Sequence, residues 1–168
     1  MGLGNNMNLR ELELKDAPYM LEWMQDDSVV RDLKTDFSRK TIEDCKSFIQ
    51  SAKSDSKNIH MAIVDDSDEY MGTVSLKNRK ADHAEFAITI RQCAMGKGYS
   101  RYAMEACLKL AFEDMGLKKV YWYVSPNNKR AIRFYDKNGY RRDTDASFLS
   151  EMVPEKAEEY VWYIACRA

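Results

Sequence analysis

The sequence has little of what marks a metal site, a disulfide scaffold or a membrane protein. Its four cysteines, Cys45, Cys93, Cys107 and Cys166, stand far apart with no Cys-x-x-Cys, and its two histidines, His60 and His83, are remote from all of them. That spacing argues against zinc and against a disulfide framework, so no metal is expected. No apolar run reaches the length of a membrane span, and the stretch MGLGNNMNLR lacks the basic and apolar segments of a secretory signal. A cytoplasmic protein with no membrane partner is expected. Charge of one sign is missing too: 26 Lys and Arg against 27 Asp and Glu leave a formal charge of -1. With no global field to draw it onto polyanions, a nucleic-acid partner is disfavoured.

What is present suits one soluble domain. The 168 residues are 45% hydrophobic and 11% aromatic, enough for a core, and 32% charged, which means a heavily solvated surface. Residues 7–168 read as a single domain. Met7 reads as the native start, and residues 1–6, with two glycines and two asparagines, as a frayed leader or vector-derived remnant.

Leu9, Leu12 and Leu14 suit a first strand over Asn8 to Leu14, and Asp16 with Pro18 then marks a helix start. A second helix opens at Thr41, where Asp44 three residues on completes a capping box, and puts Ile42, Cys45, Phe48 and Ile49 on one face. Between them, Gln25 to Lys40 reads as a short helix plus loops. The period then changes. Ile59 to Val64, Tyr70 to Leu76 and Ala84 to Ile90 are short apolar or alternating runs separated by polar turns, the pattern of an antiparallel meander. Gly96-Lys97-Gly98 opens an amphipathic helix, Tyr99 to Met115, that Gly116 ends. Val120 to Val124 is a strand, Ala131 to Asn138 a helix closed by Gly139, and Tyr160 to Cys166 a last strand. The expected class is α+β, with the strands before Gly96 and after Gly116 running parallel.

Two segments stand out chemically. Arg91 to Ser100 lies where a strand becomes a helix, and its two glycines let free amides and the helix dipole face a phosphate. It is no Walker loop, because Gly98 follows Lys97 where Ser or Thr is required, and no dinucleotide fingerprint, because Arg101 fills the third small position. A plain strand-to-helix turn is the alternative. The second segment is Asn128-x-x-Ala131-Ile132-x-Phe134-Tyr135 followed by Asn138-Gly139-Tyr140. This resembles the second cofactor motif of the GNAT N-acetyltransferase superfamily, and it follows a Gly-x-Gly turn by one helix and one strand, as that family requires. Ala84 to Ile90, Leu9-Arg10-Glu11-Leu12 and Trp23 extend the resemblance toward the ribosomal-protein alanine and spermidine acetyltransferases. It implies a GNAT-like fold: a mixed central sheet with an antiparallel meander and a parallel strand pair at the cofactor cleft, flanked by helices.

The resemblance implies an acetyl-coenzyme A dependent N-acetyltransferase acting on a small-molecule amine or a peptide N-terminus, with a homodimer left open. The pantetheine would lie along Ile88, Thr89 and Ile90, and the pyrophosphate on the amides of Met95, Gly96, Lys97, Gly98, Tyr99, Ser100 and Arg101. Asn128, Ala131 and Phe134 would line the thioester end, with Tyr135 as general acid. Aminolysis of a thioester needs a proton removed first, since an ammonium with a pKa near 10.4 is less than about one part in a thousand neutral at pH 7. Glu85 is the candidate base, through water, and also an acceptor-site residue with Trp23 and Asp32. Amides of Ile88 to Ile90 could hold the oxyanion, and Tyr135 could protonate the departing thiolate.

Each assignment has a plainer counterpart. Glu85 reads equally as a solvated carboxylate on a strand, Tyr135 as helix packing, and Asp26, Asp27, Asp32 and Asp36 as a solvated face. Cys107 reads as core, while His60 and His83 border strands and read as surface or structural. A rival from another class is a non-catalytic acyl-coenzyme A binding or sensing module, motivated by Cys93 in the loop and Tyr123 where some relatives carry a base. The long connections Trp23 to Phe37 and Asp145 to Glu159 are expected to border the amine pocket.

Overall fold

A computed structural model describes residues 7–33, 35–144, 147–148 and 160–168. The leader expected at 1–6, and most of the expected acceptor segment Asp145 to Glu159, lie outside the described residues. Among these described residues, seven strands form one sheet in the order β1-β2-β3-β4-β5-β7-β6. They are β1 (Asn8–Glu11), β2 (Ile59–Val64), β3 (Tyr70–Lys77), β4 (His83–Ile90), β5 (Lys119–Val124), β6 (Arg141–Arg142) and β7 (Val161–Cys166). The helices are α1 (Ala17–Met24), α2 (Asp27–Val30), α3 (Ile42–Ala52), α4 (Tyr99–Lys109) and α5 (Lys129–Lys137).

The expected meander is present: β2, β3 and β4 pair antiparallel, with His60 opposite Ser75 and Ser75 opposite Ala87. The expected parallel pair is β4 with β5, but its ladder is short, joining only His83, Ala84 and Glu85 to Lys119, Val120 and Tyr121. Beyond it β4 continues to Ile90 and β5 to Val124 without pairing to each other. The two strands therefore part, and one edge of β4 faces a cleft.

Each face of the sheet carries its own core. On one, Ala17, Met20, Trp23 and Met24 of α1 and Cys45 and Ile49 of α3 cover Ala62, Val64 and Tyr70. On the other, Ala103, Met104 and Cys107 of α4 and Tyr135 of α5 cover Val74, Phe86, Trp122 and Tyr163. Cys107 is core as expected, and burial pushes its thiol up to about 12. The capping box at α3 is reciprocal: Thr41 Oγ1 accepts from the Asp44 amide at 3.2 Å, and Asp44 Oδ2 accepts from the Thr41 amide at 2.9 Å.

Two expectations change, and one strand is new. The first strand stops at Glu11, because Asp16 is buried and accepts two 2.8 Å hydrogen bonds from Arg10 and one from the Glu13 amide, which bends the chain into a 3-10 turn. The helix expected over Tyr99 to Met115 is α-helical only to Lys109, where a wider π turn, Leu110–Asp114, takes over. Its Met115 amide bonds to Leu110 O at 3.0 Å, and Gly116, at φ +69°, then ends the helix with the Leu117 amide on Ala111 O at 2.9 Å. The two-residue strand β6 carried no periodic signal at all.

Candidate active site

The cleft between the parting strands is built from β4, the loop that follows it, and α5. Gly72 of β3 stands opposite Ile90, and a Cβ there would lie 2.5 Å from Thr89 O and 2.7 Å from Ile90 Cγ2. Only glycine lets β3 press this closely behind the free edge of β4. After β4, Gln92–Ala94 makes a 3-10 turn, and Gly96 (φ +75°) and Gly98 (φ +91°) swing the chain into α4. Gly98 is the N-cap of α4 and brings no side-chain cap. Met95 differs from its expected role, since its amide is spent on Gln92 O at 3.1 Å. The amides of Gly96, Lys97, Gly98, Tyr99, Ser100 and Arg101 make no hydrogen bond among the described residues. Six successive free donors at a helix N-terminus form a ready cradle for phosphate oxygens.

Across the cleft, Asn128 caps α5 by accepting from the Ala131 amide at 3.2 Å, so its Oδ1 is already engaged. Ala131 and Phe134 are half-buried, and Arg130 reaches over to the Met95 sulfur. Tyr135 is 6% exposed, its ring 5.4 Å from Trp122 and 5.0 Å from Tyr163. The ring packs as the plainer reading held, but the hydroxyl bonds to no described residue, and burial pushes its pKa up. A phenol in that state stays protonated and can donate.

On the other face, α1, α3 and the loop before α3 enclose a cavity of about 290 Å³ over β2, β3 and β4. Ala87, Ile88 and Thr89 line it, so β4 is the wall between cavity and cleft. Trp23 lines it, fixed by a 2.9 Å bond from Nε1 to Tyr70 Oη and an edge contact to Phe37 at 5.1 Å. Asp32, half-buried on the turn after α2, lines neither this cavity nor the adjoining one over Asp27 and Asp36.

Glu85 is not the solvated carboxylate of the plainer reading, being 6% exposed. Lys77 Nζ lies 3.4 Å from it, Asn78 Nδ2 donates to it at 3.2 Å, and Tyr123 hydrogen-bonds to it as well. Burial first, and then the Glu85 charge, push the Tyr123 phenol well above its usual range.

Two residues escaped the sequence reading. Arg91, 8% exposed, grips Glu22 of α1 through two bonds of 2.8 and 3.0 Å, Glu69 at 2.8 Å and Tyr70 O at 3.0 Å, with its guanidinium 4.5 Å from the Tyr19 ring centroid. It fastens the start of the amide-bearing loop to the helix that walls the cavity; the signal was a lone arginine directly after an apolar strand. His60 is the other. It is half-buried, lines the cavity, and sits 2.6 Å from Ser75 Oγ through Nδ1 and 4.7 Å from the Phe48 ring.

Residues 6–141 match the family model described as the acetyltransferase (GNAT) domain. Among curated proteins, the chain is 28% identical over 147 residues to the spermidine N(1)-acetyltransferase of Escherichia coli K12, covering 83% of this chain and 75% of that one. It is 22% identical over 142 residues to the acetyltransferase PseH of Campylobacter jejuni, covering 84% and 87%. Among solved structures, a spermidine N-acetyltransferase from Vibrio cholerae, in complex with CoA and spermine, superposes with a TM-score of 0.79 at 17% identity over 96% of this chain and 95% of that one. A putative ribosomal-protein-serine acetyltransferase from the same organism gives 0.74 at 13% identity over 98% and 96%.

Proposed function

Because the chain belongs to the GNAT acetyltransferase family, we propose that it transfers the acetyl group of acetyl-coenzyme A directly to a primary amine held in the same complex. The observation that carries this reading is the run of six free amides, Gly96 to Arg101, beside the unpaired edge of β4. Those donors suit a pyrophosphate, and the edge of Phe86 to Ile90 suits the amide-bearing pantetheine arm. The thioester would then lie against β4, whose opposite side lines the cavity that takes the amine. Attack forms the carbon–nitrogen bond, the carbon–sulfur bond breaks, and Tyr135 supplies the proton to sulfur. Tyrosinate regains a proton from the nitrogen.

The cavity narrows the acceptor. Its walls are largely apolar, with Met20, Trp23, Met24, Phe37 and Phe48, and its one carboxylate among the described residues, Asp44, is committed to capping α3. Lys40 and Lys77 also line it. That lining favours a compact amine with an apolar body, or the first residues of a peptide, over a long polycation such as the spermidine named for relatives. A panel of amines assayed for thiol release from acetyl-coenzyme A tests both points. Amine-dependent thiol release, strongest for compact amines, is expected. Binding of the cofactor without any amine-dependent release would instead favour the acyl-coenzyme A sensing module.

A further inference from the structure

Removal of the ammonium proton still lacks a well-placed acceptor. Glu85 is surrounded by the donors Lys77, Asn78 and Tyr123 and does not line the cavity. Among the titratable side chains that do line it, Lys40 and Lys77 are cations, Asp44 is a helix cap and Cys45 is buried with its thiol raised by burial. Among the described residues, His60 is the one that offers a neutral lone pair.

We propose that His60, acting with Ser75, takes the proton that the acceptor ammonium must lose before it attacks the thioester. This rests on the acetyl-transfer reading above. His60 of β2 stands opposite Ser75 of β3, and Ser75 opposite Ala87 of β4, so the three make one row across the cavity floor. With strands roughly 4.8 Å apart, two steps along the row lead from the imidazole to the strand that walls the thioester. The 2.6 Å bond between Nδ1 and Ser75 Oγ gives two equivalent routes. When Nδ1 holds the proton, Nε2 accepts from the amine directly; when Ser75 donates to Nδ1, the hydroxyl takes the amine proton as it passes its own to the ring. The neutral amine then attacks, the second nitrogen proton replaces the one Tyr135 gives to sulfur, and the imidazolium returns its proton to solvent.

The surroundings keep the ring ready to accept. Burial lowers the His60 pKa most, and Lys77 lowers it further, against an opposing pull from Asp55. Lys40 and Asp44 are the other charges that share the cavity, from the loop before α3 and from α3 itself. The active form is the neutral one, so the rate should rise as pH passes upward through the ring's titration.

The test compares an alkylamine with hydroxylamine, which is already neutral at pH 7. His60→Gln should lower kcat for the alkylamine about 10²-fold or more at pH 7, abolish the acid limb of the pH profile, leave the KM for acetyl-coenzyme A unchanged, and spare the rate with hydroxylamine. Ser75→Ala, which keeps the imidazole, should shift the limb. In the wild type, the His60 ring titration followed by NMR should coincide with that limb, a readout that survives even if a variant fails to fold. An unchanged H60Q rate and limb, an equal loss on both amines, or a ring titration away from the limb overturns the assignment while leaving the transferase reading intact. A wild type that releases no thiol with any amine overturns both.

Discussion

Adding one methyl group at Gly98 separates cofactor binding from folding. The residue sits at φ +91°, and the new Cβ would meet only Met7 Cε at 3.6 Å, an ordinary contact. The folding cost of Gly98→Ala is therefore conformational, about 1–2 kcal/mol for an L-residue held left-handed. At 2–4 °C per kcal/mol for a domain of this size, the melting temperature should fall by roughly 2–8 °C. The cofactor should lose more. Gly98 lies in the middle of the free-amide run, and a methyl with a shifted backbone would misalign at least one charge-assisted bond of about 1.5–3 kcal/mol. At 1.4 kcal/mol per decade, the Kd for acetyl-coenzyme A should rise roughly 10–100-fold. Gly116→Ala is the control, since Gly116 also has positive φ (+69°) and open space around its Cβ, but lies beyond the other end of α4. Calorimetric titration and thermal melts of both variants decide the matter. Equal melting shifts with the Kd unchanged in both would refute the amide cradle.

Tyr135→Phe keeps the ring against Trp122 and Tyr163 and deletes the hydroxyl proposed to protonate the sulfur; steady-state kinetics should show kcat down by about 10²–10⁴ with cofactor affinity retained. Trp23→Leu should raise the acceptor KM while the cofactor KM holds, and unchanged acceptor KM in Asp32→Asn would confine the acceptor to the inner cavity. Arg91→Ala removes three bonds to carboxylates and one to Tyr70 O, but Glu22 and Glu69 can turn to solvent, so a loss of about 1–3 kcal/mol is expected by urea denaturation. Arg91→Lys should not restore it, because the two-pronged grip on Glu22 needs a guanidinium.

The features legible in the sequence are those fixed by neighbours along the chain. Thr41 and Asp44 are three residues apart, Gly116 directly follows the helix it ends, and the meander repeats within one strand's length, so local chemistry decides each. The alternation of strand and helix around Gly96 and Gly116 likewise marked the parallel pair, and the two-motif resemblance put the cofactor cleft beside it. What stayed hidden depends on which distant residues meet. Arg91 draws its partners from positions 69 and 22 residues away. Glu85 reads as a solvated strand carboxylate until register sets Lys77 across from it and Tyr121 beside it. His60 reads as a strand border until the same register lines it up with Ser75 and Ala87. The π turn after Lys109 likewise leaves no mark on the apolar stripe.

With the cofactor in the cleft at the edge of β4 and the amine in the cavity on its face, as proposed, the donor and acceptor halves of the reaction can be altered separately. Gly98 and Trp23 share no bonding partner, and between them stands β4, held from behind by β3 at Gly72. Their effects on kcat/KM should therefore add within about 0.5 kcal/mol in the double variant Gly98→Ala/Trp23→Leu. Arg91 belongs to both halves: its backbone opens the loop that ends in Gly98, while its side chain grips Glu22, the residue before Trp23. Without that grip, loop and helix can settle independently, so damage at one side no longer meets a fixed counterpart on the other. Combining Arg91→Ala with either variant should depart from additivity by more than the Gly98/Trp23 pair does. Equal additivity in all three double variants would mean that β4 alone aligns the two substrates.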